Sequence, residues 1–352
     1  MNQSSTNMFV ADQSLELTIG QFNHCSTLCP HKGGMLLAWY GGSGECQSDQ
    51  SVHLLFINKR GPSKPLRLGD KTGNPVLWDN GTDEAVLLFS IFEDSGPMRT
   101  FADRWKHCSL WTQRLTFEEN AIQSIGAAKQ LTTSKDHLLG RCRPIKHHDN
   151  LYLPLYNEVT GQGVLYQSTP TKDLTRVSDF GKEMIQPTFW MDGDRLCSLS
   201  RTFHSANRFA PYYYSDDDGK TWVGPAATTI KNRNNSLHAL ALGEHNLLVW
   251  NDTDSLRRQN LTLGTLTHDK IPKVNPLALI SDHGSYPTLC DDSAGRVCLS
   301  YTTVQGKIKY YVWSKPKITD AIGRRNFAGR SDGAADAATD AATSGTEDSA
   351  LL

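Results

Sequence analysis

The chain has 352 residues, enough for a sizeable core and within the range of a single large β domain. Its 36 Lys and Arg balance 37 Asp and Glu, the pI is near 6.9 and no basic cluster occurs, so no nucleic-acid footprint is present. No apolar run approaches the roughly 20 residues of a membrane span, and "MNQSSTNMFVADQ" lacks a basic start and an apolar leader, so the expected location is cytoplasmic.

Residues 1–15 read as an N-terminal extension, and the first strand signal is "LELTI" at 15–19. A unit then begins to recur: an apolar strand, a polar turn with Gly or Asp, a second apolar strand and a third. It reads "STLCPHKGGMLLAWYGG" and then "GNPVLWDNGTDEAVLLFSIF". A wider gap follows, expected to be an insertion around residues 95–135, and it holds the single passable helical pattern, "TFEENAIQSIGAAKQL". The unit returns as "RPIKHHDNLYLPLYNE", "QPTFWMDGDRLCSLSRT", "NSLHALALGEHNLLVWND" and "YPTLCDDSAGRVCLSYTT". Starts near residues 24, 72, 141, 185, 235 and 285 are mostly spaced at the roughly 40–50 residues of a four-stranded propeller blade.

Within units the alternation has period two and is rich in Val, Ile, Leu, Phe, Tyr and Trp, the signature of strands. Sheets packed radially bury their faces on each other and leave short edges. The expected fold is therefore all-β: a six-bladed β-propeller of four-stranded antiparallel blades over residues 16–318, with "LELTI" completing the last blade and closing the ring. Residues 319–352 are expected to form a disordered tail; from Ala328 onward it is Ala, Asp, Gly, Ser and Thr with almost no large apolar residue.

The fourth unit ends in "SDDDGKTW", residues 215–222. Asp217 is placed to bond backbone N–H groups across the turn, Gly219 to supply a positive φ and Trp222 to pack beneath. A calcium loop needs more ligands at alternate positions and a closing Glu, so the turn reads as structural. The eight cysteines show no zinc-ligand spacing and read as buried free thiols. His147 and His148 sit at a hairpin tip and read as solvated. No metal and no cofactor is expected.

The S-x-D-x-G-x-T-W turn is an Asp-box, and from about residue 20 to 315 the chain resembles the sialidase-like propellers with Asp-box repeats. Blade-opening segments "GRCRPI…LPLY", "IQPT" and "SYPT" and the later "SYTTVQGKIKY" carry the likeness. The resemblance implies a glycoside hydrolase, of the exo-α-sialidase class, that removes a terminal acidic sugar from a glycan. In such enzymes an arginine triad grips the carboxylate, a tyrosine attacks the anomeric carbon, a glutamate activates it and an aspartate is the acid/base. Planar guanidiniums suit a carboxylate, and a neutral phenol suits a reacting centre that already bears one.

By that resemblance Arg201 is the second triad arginine, Arg258 the third, Tyr286 the nucleophile and Asp49 the acid/base. Two departures stand out. His24 occupies the place of the first arginine, and Gln186 that of the activating glutamate, which a glutamine cannot replace as a base. Glu158 or Glu183 is then the substitute base, and His24 an alternative acid/base. Arg143 and Glu158 are further candidates for the channel lining. The bland alternatives are surface ion pairs for the arginines, a core aromatic for Tyr286 and a turn residue for Asp49. Two other functions compete with the hydrolase: an enzyme acting on another anionic glycan through His24 or Asp49, and a non-catalytic glycan-binding propeller.

Overall fold

The computed structural model describes residues 10–81, 83–93, 101–118, 121–169, 172–203 and 207–325. Period-two apolar runs become strands whose inner members are buried on both faces, as in Phe22–His31 and Gly34–Gly42. Six antiparallel blades follow in chain order, the last two sharing one continuous strand. Blade 1 comprises Phe22–His31, Gly34–Gly42 and Ser51–Asn58, with Gly61–Pro62 and Leu66–Asp70 sharing its outer edge. Blade 2 comprises Thr72–Asp79, Ala85–Phe92, Cys108–Glu118 and Ala121–Thr132. In blade 3 the inner position is split between Leu138–Gly140 and Ile145–His147, followed by Asn150–Asn157, Gln162–Thr169 and Lys172–Phe180.

Blade 4 runs Met184–Asp192, Arg195–Thr202, Tyr212–Ser215 and Val223–Ala226. Blade 5 holds His238–Leu242, His245–Asn251, Gln259–Leu266 and the first part of Val274–Asp291. That last strand crosses between sheets: His283 pairs with Gln259 of blade 5, and Gly284 pairs with Thr303 of blade 6. Arg296–Thr303 and Ile308–Ser314 complete blade 6 with Gln13–Leu17, in register Leu17 to Ile308. The N-terminal strand thus closes the ring as expected, and the propeller has no unpaired junction between its first and last blades.

Two expectations are corrected. The stretch taken for an insertion supplies the third and fourth strands of blade 2, and the helical pattern at 116–131 is a strand hairpin in which Phe117 pairs with Ile122. Gly126, at φ +65°, interrupts any helix there, and a lone helix of that length is marginal in water. Pairing to blade 2 therefore wins. Of the expected insertion, residues 95–100 and 119–120 lie outside the described residues; among the described ones the short helix Phe101–Lys106 precedes the two strands. The boundary drawn at 318 is the second correction. Residues 315–325 are helical, and Ile318 and Ile322 bury themselves in the core of blades 5 and 6. The rest of the tail, from 326, lies outside the described residues.

The Asp-box folds on itself. Asp217 accepts from the Thr221 N–H (2.8 Å), the Thr221 hydroxyl (2.7 Å) and the Ser215 hydroxyl (2.7 Å), and these bonds hold its carboxyl down to about 2. Trp222 stacks on Phe180 at 4.1 Å. Asp217 is satisfied within the turn, while Asp216 pairs with Arg195 and Asp218 accepts from the Tyr152 hydroxyl, so all three acids have protein partners, in keeping with a structural reading. All eight cysteines are buried and free.

Candidate active site

Each inner strand enters at one end of the channel, and four blades do so through the same irregularity. A β-bulge falls between His24 and Thr27, Gly73 and Val76, Ile185 and Thr188, and Ser285 and Thr288. The bulged residues Cys25, Asn74, Gln186 and Tyr286 all have φ between 43° and 55°. A non-glycine residue in this left-handed region costs about 1–2 kcal/mol, and such cost is characteristic of sites where a side chain is re-aimed. Here Asn74, Gln186 and Tyr286 are turned into one cavity of about 180 Å³ at the channel mouth.

Arg201, ending Arg195–Thr202, and Arg258, just before Gln259–Leu266, converge in this cavity on one atom. The Tyr286 hydroxyl oxygen accepts from Arg258 Nη2 at 2.9 Å and from Arg201 Nη1 at 3.3 Å. Asn234 Oδ1 braces Arg201 through Nε at 2.8 Å, and the Arg258 guanidinium lies 4.5 Å from the Tyr286 ring centroid. Neither guanidinium is spent on a carboxylate among the described residues, so both remain available to an anion.

Two carboxyl groups share the cavity. Glu45 Oε1 accepts from the Tyr40 hydroxyl (3.0 Å) and from Trp105 Nε1 (3.1 Å). Burial raises its pKa, against the opposing pull of those hydrogen bonds and of Arg258. Glu158, following Asn150–Asn157, is pushed by burial up to about 7, although the positive charges of Arg201 and Lys106 oppose the shift. A group that titrates near neutrality in a cavity between two arginines and a phenol is well suited to move protons.

Of the residues singled out from the sequence, the fold thus brings Arg201, Arg258, Tyr286, Gln186 and Glu158 together. The others lie elsewhere. Asp49 is exposed in a separate hollow with His53 and Arg67, bound to the Ser43 N–H and hydroxyl, which lower its pKa. The carboxylate that its loop sends into the cavity is Glu45. His24 packs edge-on against the Tyr286 ring at 4.3 Å and is only 6% exposed. Burial, then the charges of Arg258, Arg141 and Arg201, holds its imidazole well below the ordinary range, so it sits as a neutral wall and is a poor proton donor. Arg143 points behind the cavity and donates to the Leu289 carbonyl at 3.3 Å. Glu183, at φ 53° in the turn before blade 4, does not line the cavity.

Arg141 reads in the sequence as an ordinary polar loop residue. It is 1% exposed and ties three blades together at the axis, donating to the carbonyls of Ser26 (3.2 Å) and Pro287 (3.0 Å) and to the Thr288 hydroxyl (3.1 Å). Its guanidinium lies 5.6 Å from the Tyr286 ring, so three arginines surround that phenol. Trp105 carried no signal in the sequence, because the segment before it shows no periodicity.

Comparison with solved structures returns sialidases at low identity. The Hadza microbial sialidase Hz136 superposes with a TM-score of 0.65 at 13% identity, covering 83% of this chain and 66% of that one. Trypanosoma rangeli sialidase in complex with the inhibitor DANA gives 0.68 at 11%, with 90% and 62% covered. The NanB sialidase from Streptococcus pneumoniae gives 0.61 at 10%, with 89% and 71% covered. At this identity the likeness establishes the fold alone, and the chain spans about two thirds of the length of these proteins. No curated protein matches it in sequence. The family profile of the BNR repeat-like domain, however, matches residues 33–299, three quarters of the chain, leaving out the strands Gln13–Leu17, Phe22–His31 and Ile308–Ser314. On that match, and on a propeller shared with sialidases, the chain belongs to the BNR repeat-like domain family.

Proposed function

We propose that the protein is a glycoside hydrolase that removes a terminal acidic sugar, of the sialic acid type, from a glycan. The observation that carries this reading is the convergence of Arg201 and Arg258 on the Tyr286 hydroxyl inside a half-open cavity. Its volume of about 180 Å³ is below the ~300–1,000 Å³ of ordinary ligand pockets, which suits one terminal sugar and leaves the rest of the glycan outside.

In this mechanism the two guanidiniums hold the sugar carboxylate and offset the charge that builds on the phenol oxygen as its proton leaves, before that charge is spent in the bond to the anomeric carbon. Glu45 gives its proton to the departing glycosidic oxygen; the upward shift caused by its burial is in the direction a general acid needs. Gln186 cannot take the phenol proton, and Glu158 is the carboxylate left to do so. Water then cleaves the glycosyl–tyrosine bond with Glu45 returning as base. Asp49, exposed in its own hollow, has no part in this scheme.

A fluorinated sialyl donor tests the reading. The wild-type protein should hydrolyse a chromogenic sialoside in preference to a uronoside and accumulate a covalent adduct on Tyr286. Tyr286→Phe should form no adduct, and Glu45→Gln should lose roughly 10²–10⁴-fold in turnover, the usual share of a positioned acid/base. Gln186, standing where an activating carboxylate is needed, favours a second reading, a non-catalytic module that binds acidic sugars. Binding of the sugar acid with no turnover of either substrate would select it.

A further inference from the structure

At the far end of the inner strands lies a cluster that the channel chemistry does not use. From Gln186 the strand Met184–Asp192 carries the chain roughly 20 Å away from the cavity before its turn. That turn, Gly193–Asp194, belongs to blade 4. Beside it is the turn His148–Asp149 of blade 3, which joins Ile145–His147 to Asn150–Asn157. Ligand atoms of His147, His148 and Asp194 all fall within 4.8 Å of one another.

Two features of the geometry bear on this cluster. First, His147 ends its strand and His148 opens the two-residue turn at φ 51°, the left-handed backbone such a hairpin turn takes, and the two rings lie 4.0 Å apart. Second, His147 Nε2 lies 3.7 Å from Asp194 Oδ1, too long for a hydrogen bond. That span is what two bonds of about 2.05 and 2.1 Å subtend at roughly 125°, an angle near those of a four-coordinate zinc centre.

We propose that His147, His148 and Asp194 form a divalent transition-metal site, of zinc type, that clamps blades 3 and 4 together on the face opposite the cavity. Two imidazole nitrogens and one carboxylate oxygen suit zinc, nickel or copper, whereas calcium and magnesium take oxygen ligands. Water completes the shell, since His148 and Asp194 are exposed. The clamp joins two hairpins from neighbouring sheets that no backbone pairing links.

The test uses the full chain, zinc chloride, isothermal titration and thermal melting. Wild type should bind one zinc ion more than His148→Gly or Asp194→Asn, and its melting midpoint should rise with zinc. Loss of a direct ligand should weaken that site at least ~100-fold, beyond the roughly 10–100-fold that losing an outer-shell partner costs. His148→Gly relieves the left-handed strain, so this variant should fold at least as well without metal. Equal zinc stoichiometry in wild type and both variants overturns the proposal. So does a midpoint that zinc leaves unmoved, or one that calcium raises as much as zinc.

Discussion

Glu158 offers the sharpest test of the cavity's electrostatics, because its charge is held against the fold. Burial lifts its pKa from 4.5 to about 7. The unfolded chain therefore releases this proton near pH 4.5, while the native protein keeps it until about pH 7. Between those values the native state binds more protons, so this group's contribution to stability falls as pH rises. Below pH 4.5 the contribution is neutral; above about pH 7 the full penalty is present. The shift corresponds to ~3 kcal/mol at 1.36 kcal/mol per unit, an upper figure since the side chain keeps some contact with water. Glu158→Gln removes the penalty without changing the shape. Urea melts of both proteins should coincide near pH 4 and diverge by about 1.5–3 kcal/mol near pH 8, with the variant the more stable. The same substitution should remove a rise in turnover through pH ~7, if Glu158 takes the phenol proton as proposed. Wild type and variant with parallel pH dependence of stability would refute the burial argument, whatever the activity does.

Two further outcomes follow from distances in the fold. Arg258→Ala removes a 2.9 Å charged hydrogen bond to Tyr286 and one arm of the anion site, so affinity for a sugar acid should drop roughly ten- to hundredfold by titration calorimetry. Gly219→Ala would place a methyl 2.1 Å from Leu165 Cδ2 at φ +80°, and the combined clash and strain should cost about 2–4 kcal/mol in chemical denaturation.

The physical source of each feature explains how far the sequence alone carried it. Blade strands were legible because strands near the axis, such as Phe22–His31 and Gly34–Gly42, are buried on both faces, and that burial writes itself into every second residue or into an unbroken apolar run, as in "GMLLAWYGG". The Asp-box turn was legible for a stricter reason. Ser215, Asp217, Gly219 and Thr221 satisfy one another within seven residues, so nothing distant is needed to specify it. Arg201, Arg258 and Tyr286 were reached through motifs that travel with the blade positions. What failed was everything settled across blades. The segment 116–131 holds three Ala, two Gln and two Glu and favours a helix locally, and only pairing with its neighbours makes its described residues strand. Loop 43–50 offers both Glu45 and Asp49 without periodicity. Tyr40, and Trp105 from sixty residues further on, draw Glu45 into the cavity, while Ser43 holds Asp49 outside it. Arg141 looks in the sequence like any polar loop residue, yet its three acceptors lie in blades 1 and 6, 115 to 147 positions away. A side chain's role at a ring axis depends on six chain segments meeting there, and no local pattern of residues encodes that meeting.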